Sequence, residues 1–411
     1  MKKVKVLCTA LIIATTFATG VFAQEAGGKV LDVNSAINSA IKNSYEVKNK
    51  ENSIKRAEDN YTDEVRRGNS LEERAKINDR FIRLANKSDR TEEEEEDYKF
   101  YLAVYGSPMS DEEVSESLKM AGSIAVKYDF NKFQNKSALE IIKNKIKENV
   151  YEEYGNLLKD KDKLELERRK FEVAKGEFEQ VKLSAKIGTI SKLEGKEKEV
   201  EYLKAKEEYE ACKRDFNIQR MNFNKLIGAP INTEYDKYLQ EYTVDSEQIK
   251  DYEEYLNDAL TNRAEIINGK EYIEVKRYER SLAIGVYYSE HREAKIADAA
   301  FENSKDMLEL KKLDIQLEIK KLYDDIEIKN KNFKSVLQQY KEAKKSYDEI
   351  SKRYSLGMVS KLEYNKRSAQ LFEEMLNYKN IERDLYIAKL KLENACSLGT
   401  DVNKANYSDI G

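Results

Sequence analysis

Proline and glycine are scarce in this chain, whose 411 residues include only 2 prolines and 16 glycines. Folds rich in tight turns, such as β-sandwiches and α/β enzymes, depend on these residues for sharp reversals and positive φ angles. Charged residues make up 36% of the sequence and hydrophobic residues 40%, a combination typical of long solvated helices. The composition therefore predicts an all-α chain, or a mainly α chain with minor β structure.

Histidine and cysteine are also rare. The chain has one histidine, His291, and three cysteines, which leaves few of the side chains used in nucleophilic catalysis or zinc binding. We therefore expect neither an enzyme nor a metal or other cofactor, and we interpret His291 as an ordinary surface or turn residue rather than a pH switch. Because 73 basic residues are balanced by 77 acidic ones, the chain lacks the basic surface that a nucleic-acid partner requires.

Residues 1–23 have the pattern of a secretory signal peptide. Lysines at positions 2, 3 and 5 precede an apolar stretch from Leu7 to Phe17, and Ala23 ends a small-residue cleavage site. The alternative is an uncleaved membrane anchor, which is disfavoured because the apolar run is shorter than the roughly 20 residues of a spanning helix. We expect an exported protein in which no apolar run of residues 24–411 approaches spanning length.

A long internal repeat organises the rest of the chain. Residues 188–194, Gly-Thr-Ile-Ser-Lys-Leu-Glu, recur as residues 357–363, Gly-Met-Val-Ser-Lys-Leu-Glu, at an offset of 169. Apolar positions on both sides of these segments keep the same offset. A weaker repeat, at an offset of 219, relates Ala40-Ile41-x-Asn43 to Ala259-Leu260-x-Asn262. Such runs indicate a duplicated module, so we predict a first copy at 24–250 and a second at 251–411.

Each copy has the pattern of a long helical hairpin. Apolar residues from Phe333 to Tyr354 recur at steps of three and four, which is the heptad pattern of a coiled coil. Residues 305–356 contain no glycine or proline, so this helix would be about 78 Å long. Gly188 and Gly357 then mark the tips, because glycine suits the left-handed position that ends a helix. Ser191 and Ser360 suit the N-cap of the returning helix.

The first copy carries a charged insertion near residues 62–130. It includes the acidic run Glu92–Asp97, preceded by Thr91, and a capping-box pattern at Ser110–Glu113. We predict short, charged helices here, and we interpret the acidic run as a solvated helix start rather than a metal site.

The cysteines are predicted to stay unpaired. Cys8 lies in the signal peptide, whereas Cys212 and Cys396 lie 24 and 39 residues beyond the tip glycines of their copies. If the two hairpins stand side by side, this difference separates the thiols by roughly 22 Å, which is too far for a disulfide.

In their order and duplication, these motifs resemble the TolC family of outer-membrane efflux channels over essentially the whole mature length. The resemblance rests on the opening motifs that end at Asn43 and Asn262. It also rests on the tip and closing motifs, which are Gly188-x-x-Ser191, Tyr354-x-x-Gly357-x-x-Ser360, Leu226-Ile227-Gly228 and Ser397-Leu398-Gly399. Each motif is weak alone, but their combination within heptad helices is fairly specific.

The resemblance implies a homotrimer whose antiparallel coiled-coil hairpins close into a TolC-like helical barrel. It implies a passive conduit of a tripartite efflux or secretion system, placed in the outer membrane or elsewhere in the extracytoplasmic cell envelope, with membrane association possible. The tips would dock on a periplasmic adaptor (membrane fusion) protein that works with an inner-membrane transporter. The tip residues are Gly188, Thr189, Ile190, Ser191, Gly357, Met358, Val359 and Ser360.

Two alternatives accompany these site predictions. Tyr354 and Glu363 would lie near the entrance constriction of the tunnel, or they are ordinary seam and exposed helix positions. The apolar tip residues dock a partner, or they only cover the tip of the neighbouring hairpin.

One departure from the family concerns strands. Family members insert a β-hairpin into each half, whereas strand-like alternation here is confined to Tyr98–Tyr105, Ser123–Phe130 and Ser281–Tyr288. The alternative function is therefore a non-conducting helical structural or interaction protein of the cell envelope.

Overall fold

The computed structural model describes residues 29–187, 189–239, 242 and 249–407. About 85% of these residues are helical, which confirms the mainly α class. The predicted signal peptide lies outside the described residues. In chain order the elements are β1 (Val30–Asp32), α1 (Val33–Asn43), α2 (Tyr45–Asn86), α3 (Glu92–Tyr105), α4 (Asp111–Lys186), α5 (Lys192–Ile227), β2 (Lys237–Leu239), α6 (Tyr252–Asn262), α7 (Ala264–Tyr287), α8 (Arg292–Ser355) and α9 (Lys361–Cys396).

The long helices lie side by side in one layer. Helices α4 and α5 form one antiparallel hairpin, α8 and α9 form the other, and α4 lies against α9. The order across the layer is therefore α5, α4, α9, α8, with α5 and α8 at the two edges. Toward the end opposite the tips, α4 also packs against α2 and α7, and α7 packs against α8. Helix α4 has 76 residues, which corresponds to about 114 Å.

The duplication is visible in the packing of the two hairpins. In the first, the rings of Phe171 and Tyr209 stack with centroids 5.8 Å apart and planes 10° apart. In the second, Tyr340 and Tyr378 stack at 5.4 Å and 11°. Each residue of the second pair lies 169 positions after its counterpart, so both hairpins have the same internal register.

The opening and closing motifs of each copy meet at the base of its hairpin. In the first copy, the Asn43 side-chain amide donates to the Ile227 carbonyl at 3.1 Å. Gly228 follows with a φ of 71°, and a Cβ at this glycine would lie 2.6 Å from the Asn43 side chain. In the second copy, the Ala264 N–H donates to the Leu398 carbonyl at 3.3 Å.

A short parallel pairing of β1 with β2 completes the base. The Tyr154 hydroxyl donates to the Leu239 carbonyl of β2 at 2.5 Å and also lies 3.4 Å from the Leu31 carbonyl of β1. Its ring packs on Phe223, with centroids 5.7 Å apart. The base is therefore held by an aromatic core as well as by the closing turns.

Both described cysteines, Cys212 and Cys396, are free and buried, as predicted. Burial raises the pKa of the Cys396 thiol to about 12 and also raises that of Cys212. Because the thiolate is the reactive form, neither thiol is activated for thiol–disulfide exchange.

The three segments with strand-like alternation are helical. Residues 98–105 lie in α3, residues 123–130 in α4 and residues 281–287 in α7. Packing explains the outcome in α3, where Tyr98 and Tyr101, three residues apart, both contact the ring of Phe81 at 6.0 and 5.6 Å. A short alternating run fits a helix face as well as a strand when spacing of three also holds.

The charged insertion is helical, but only α3 is a short separate helix. The remainder extends α2 and α4, which have 42 and 76 residues, so the expectation of several short helices was wrong in that respect. Capping boxes at Thr91 with Glu94 and at Ser110 with Glu113 confirm the predicted helix starts. No helix in the described ranges is long and apolar enough to cross a membrane.

Replacing Gly228 by alanine should destabilise the protein more than the same change at Gly357. Both glycines have a φ of 71°, and a left-handed conformation costs about 1–2 kcal/mol for other residues. Only at Gly228 would the new Cβ clash, because nothing lies within 4 Å of a Cβ at Gly357. Urea unfolding of both variants measures the difference, which we expect to be about 1 kcal/mol or more. Equal losses would show that the contact with Asn43 does not constrain the base.

Candidate functional site: the hairpin tips

The second tip ends α8 in a complete Schellman motif. Gly357 adopts a φ of 71°, which confirms the predicted left-handed turn. Its N–H donates to the Tyr354 carbonyl at 2.9 Å, and the Met358 N–H donates to the Arg353 carbonyl at 2.9 Å. These two bonds satisfy carbonyls that the end of a helix otherwise leaves free.

The first tip has the equivalent backbone bond. The Thr189 N–H donates to the Ser184 carbonyl at 3.0 Å, which is the bond of Met358 shifted by 169 positions. The Thr189 hydroxyl donates to the same carbonyl at 2.9 Å. Gly188 itself lies outside the described residues.

Both returning helices begin with the predicted serine caps. The Ser191 hydroxyl oxygen accepts from the Glu194 N–H, and the Ser360 hydroxyl oxygen accepts from the Glu363 N–H, each at 3.1 Å. Glu363 therefore occupies the first turn of α9, where its exposed carboxylate also complements the helix dipole. Its role at an entrance constriction stays a prediction.

Exposed apolar side chains surround both tips. Ile187 and Leu356, which directly precede the tip glycines, are 74% and 73% exposed, and Met358 is 64% exposed. Ile190 and Val359 are half-buried, whereas Thr189, Ser191 and Ser360 are exposed. Neither Ile187 nor Leu356 was among the predicted site residues, although both are apolar residues at the repeat offset immediately before a glycine.

The two tips differ in the side chains behind the turn. In the second hairpin, Tyr354 stacks on Tyr364 at 4.5 Å and 16°. The hydroxyls of Tyr364 and Tyr347 lie 2.6 Å apart, and this hydrogen bond raises the pKa of Tyr347. Tyr354 is thus half-buried in the seam between α8 and α9. In the first hairpin, the positions equivalent to Tyr354 and Tyr364 hold Ala185 and Gly195, which have no rings to stack. Nothing lies within 4 Å of a Cβ at Gly195.

A ladder of ion pairs joins the two hairpins between α4 and α9. Five of the described ion pairs join these two helices, and in four of them the two residue numbers add to 543, as expected for antiparallel helices in one fixed register. The four are Glu152 with Lys391 at 3.0 Å, Lys159 with Asp384, Lys170 with Glu373 at 3.3 Å, and Glu177 with Lys366. The fifth, Arg383 with Asp162 at 2.7 Å, adds to 545.

The order of charges in this ladder specifies its register. A slip of one heptad would place Lys159 opposite Lys391 and Glu177 opposite Glu373, which puts like charges together. Glu177 also accepts from Lys198 of α5 at 3.1 Å. Partial burial alone would raise the pKa of Glu177, but its lysine partners lower it. Each pair is partly exposed and worth about 0–1 kcal/mol, so the ladder selects the register rather than supplying most of the stability.

The edge helices α5 and α8 carry apolar residues that no described part of the chain covers. They recur at or near heptad spacing and are between 53% and 67% exposed. Stripes of this kind mark surfaces that bind a partner. The residues are Leu193, Val200, Leu203 and Ile218 on α5, and Leu310, Leu313, Leu317 and Ile328 on α8.

A cleft of about 380 Å³ lies near the base, away from the tips. Arg263, only 1% exposed, contacts Glu265 at 3.1 Å and Glu318 at 3.3 Å, and Lys404 contacts Glu318 at 2.7 Å. Burial alone would lower the pKa of Arg263, but the two carboxylates raise it. These groups largely neutralise one another and fasten the closing segment to α8, so we assign the cluster a structural role.

Comparison with known proteins identifies the fold. No family model and no curated protein matches the chain. A membrane protein from Pseudomonas aeruginosa has a TM-score of 0.58 at 11% identity, covering 93% of both chains. The transmembrane channel CusC has a TM-score of 0.53 at 10% identity, covering 89% of this chain and 92% of its own. The outer-membrane channel OprN has a TM-score of 0.51 at 10% identity, covering 90% of both chains. The chain therefore has the fold of TolC-like outer-membrane channels.

Reversing one charge of the ladder should destabilise the protein, and reversing both should restore it. Asp384→Lys places a second cation beside Lys159 and should cost about 1 kcal/mol. The double variant Lys159→Asp, Asp384→Lys recovers an attractive pair. Urea unfolding at low and high salt measures both, with a smaller effect at high salt. Asp306→Lys, the same substitution at an exposed position of α8, is the control that should have little effect. A double variant no more stable than the single one would contradict the assigned register.

Proposed function

We propose that this chain is one subunit of a homotrimeric helical conduit in the cell envelope. The observation that carries the proposal is the layer of two parallel hairpins with an uncovered apolar stripe at each edge. A flat layer with an apolar stripe at each edge can form one segment of the wall of a helical tunnel. When copies close into a ring, both edges of every copy are buried against neighbouring copies. The TolC-like fold supports a ring that encloses a tunnel.

The proposed activity is passive passage of cargo within a tripartite efflux or secretion system. Selectivity would come from the width of the tunnel and the charges that line it, without bond making. The proposed location is the outer membrane or another part of the extracytoplasmic envelope, reached through the signal peptide at residues 1–23, with membrane association possible.

The tips are the proposed docking surface for a periplasmic adaptor protein that connects the conduit to an inner-membrane transporter. Ile187, Leu356 and Met358 are exposed at the end of a rod about 100 Å long. Within the ranges that the structure describes, no other segment reaches that end to cover them. The docking surface would comprise residues 187–191 and 356–360, with Tyr354 and Glu363 behind the second turn.

Aspartate at Leu356 and Met358 should abolish docking while leaving the helices intact, because both side chains are already exposed. The measurement is the accumulation of a fluorescent dye in cells that express the variant in place of the parent protein. Circular dichroism of the purified variant measures its helix content. Ile296→Asp is the matched control, since Ile296 is 51% exposed near the opposite end of α8. Normal export by the double tip variant would show that these residues only cover a neighbouring tip.

Conductance of the purified mature protein in planar bilayers tests the conduit itself. We expect discrete single-channel steps from the assembled ring. A closed ring that never conducts would assign the chain to the alternative, a non-conducting structural protein of the envelope.

A further inference from the structure

The end of the layer opposite the tips carries a helical extension, which we call the distal arm and define as residues 79–105. Asn78 fixes its start. The buried side-chain amide of Asn78 donates to the Met109 carbonyl at 2.9 Å and accepts from the Met109 N–H at 2.7 Å. Helix α4 begins two residues later, at Asp111. The last eight residues of α2 therefore extend about 12 Å beyond the start of α4, and α3 folds back along them.

The inward face of α3 holds the distal arm together. The rings of Tyr98 and Tyr101 pack against Phe81 of α2, and the Arg90 guanidinium lies 3.9 Å from the Tyr98 ring. Carboxylates on this side of α3 pair with cations of the arm itself. The pairs are Glu94 with Lys87, Glu95 with Arg90, and Asp97 with Arg80.

The outward face of α3 is apolar toward the C-terminal end of the helix. Phe100 is 58% exposed and Val104, one turn later, is 54% exposed. Ala103 lies between them and is also exposed. No residue of α3 is buried, so these side chains contribute to no core within the described chain. Exposed apolar residues grouped on one side of a helix mark a surface that binds a partner.

Exposed carboxylates continue this face toward the start of α3. Glu93, Glu96, Phe100 and Val104 follow one another at steps of three and four, which places them on one side of the helix. Glu93 and Glu96 are exposed, and neither takes part in a described ion pair, whereas the carboxylates of the inward face do. The outward face therefore has an anionic end and an apolar end.

The undescribed segments of the mature chain are too short to cover this face. Residues 408–411 span at most about 14 Å. They follow Tyr407, whose N–H donates to the Gln134 side chain at 2.7 Å, and Gln134 lies about 35 Å along α4 from its start. Residues 24–28 precede β1 and residues 240–248 follow β2, and both strands lie still farther away at the base. The occupant is therefore not part of the same chain.

A neighbouring copy in the proposed ring would not cover the outward face either. Lys119 of α4 pairs with Glu293 of α8 at 3.1 Å, so α8 begins about 12 Å below the start of α4. Phe100 lies above that start, beside the last turns of α2. At this height a neighbour has only its own arm, and α2, α4, α7 and α8 separate successive arms by about 32–40 Å. The face is thus free to bind another molecule.

We propose that the outward face of α3 binds a basic amphipathic helix of another protein. The apolar side of that helix lies on Phe100 and Val104, and its lysine or arginine side chains lie beside Glu93 and Glu96. Charge selects this occupant over an anionic bilayer surface, because the distal arm has eight acidic residues against five basic ones. The proposal does not rest on the proposed conduit, and it gives the chain a second docking surface at the end opposite the tips.

Photo-cross-linking in cells identifies what lies on this face. The photoreactive amino acid p-benzoylphenylalanine replaces Phe100 in the test variant. In the control it replaces Tyr45, an aromatic residue that is 83% exposed at the other end of α2. We expect only the Phe100 variant to cross-link to one protein, at a segment with net positive charge and apolar residues at steps of three and four. Mass spectrometry of the cross-linked peptide reads that segment.

A synthetic peptide of the cross-linked segment then tests direct binding to the purified mature protein by fluorescence anisotropy. Glu93→Lys with Glu96→Lys should weaken binding at least tenfold at low salt, with a smaller effect at high salt. Glu207→Lys with Glu210→Lys, the same change at two exposed glutamates three residues apart on α5, should leave the affinity unchanged. Circular dichroism should show equal helix content in both double variants.

Three results would overturn the proposal. The first is a cross-link from position 100 to a second copy of the chain, to a segment without net positive charge, or to no protein. The second is flotation of the purified protein with phosphatidylethanolamine–phosphatidylglycerol vesicles that Phe100→Ser abolishes, because the face would then bind a bilayer. The third is an unchanged affinity of the Glu93, Glu96 double variant for the peptide. Each of these results would leave the proposed conduit standing, since none involves the tips or the edges.

Discussion

The packing of α4 against α9 holds the two duplicated hairpins in one layer, and the proposed functional surfaces at the tips and the edges depend on it. The two helices are antiparallel, and their ladder of ion pairs has a charge order that fits one register only. Because that register is fixed, the two tips stand at the same end of the layer. The same contact leaves α5 and α8 at opposite edges, where their apolar residues remain uncovered.

The uncovered edges give the proposed ring its physical basis. Burying one leucine or isoleucine side chain contributes roughly 1.5–3 kcal/mol. Several such residues lie along each edge, so their burial can outweigh the roughly 4–15 kcal/mol that association costs. The tips differ from the edges, because their apolar residues are few and lie at turns that a ring of copies brings near one another. The tips therefore suit a different protein that binds the end of the assembled ring, rather than a contact between copies that forms the ring.

Much of this architecture could be predicted from the sequence, because its determinants are local or repeated. Gly357 reverses the chain and Ser360 caps the next helix, and both depend on residues within one turn of helix. The repeat offset predicted that the two hairpins would share a register, as the stacking of Phe171 on Tyr209 and of Tyr340 on Tyr378 shows. The conformation of the segments with strand-like alternation could not be predicted, because eight-residue alternating runs do not distinguish a strand from a helix whose neighbours are unknown.

The inter-hairpin contacts could not be predicted, because their partners are far apart in the chain. Lys170 and Glu373 are separated by 203 positions, and charged residues occur at many other positions along both helices. The buried ion pair of Arg263 with Glu265 could not be predicted for a different reason. Opposite charges two positions apart are usually exposed to solvent, so the sequence does not indicate that this pair is buried. Leu356 and Ile187 could have been found, because each repeats an apolar residue before a tip glycine.

Electron microscopy of the purified mature protein, viewed along its long axis, tests the central claim most directly. If each chain forms one segment of a tunnel wall, end-on class averages will show a closed ring of paired helices around an open centre, with matching hairpins at regular intervals. Isolated rods, or a compact bundle with no central opening, would contradict the account.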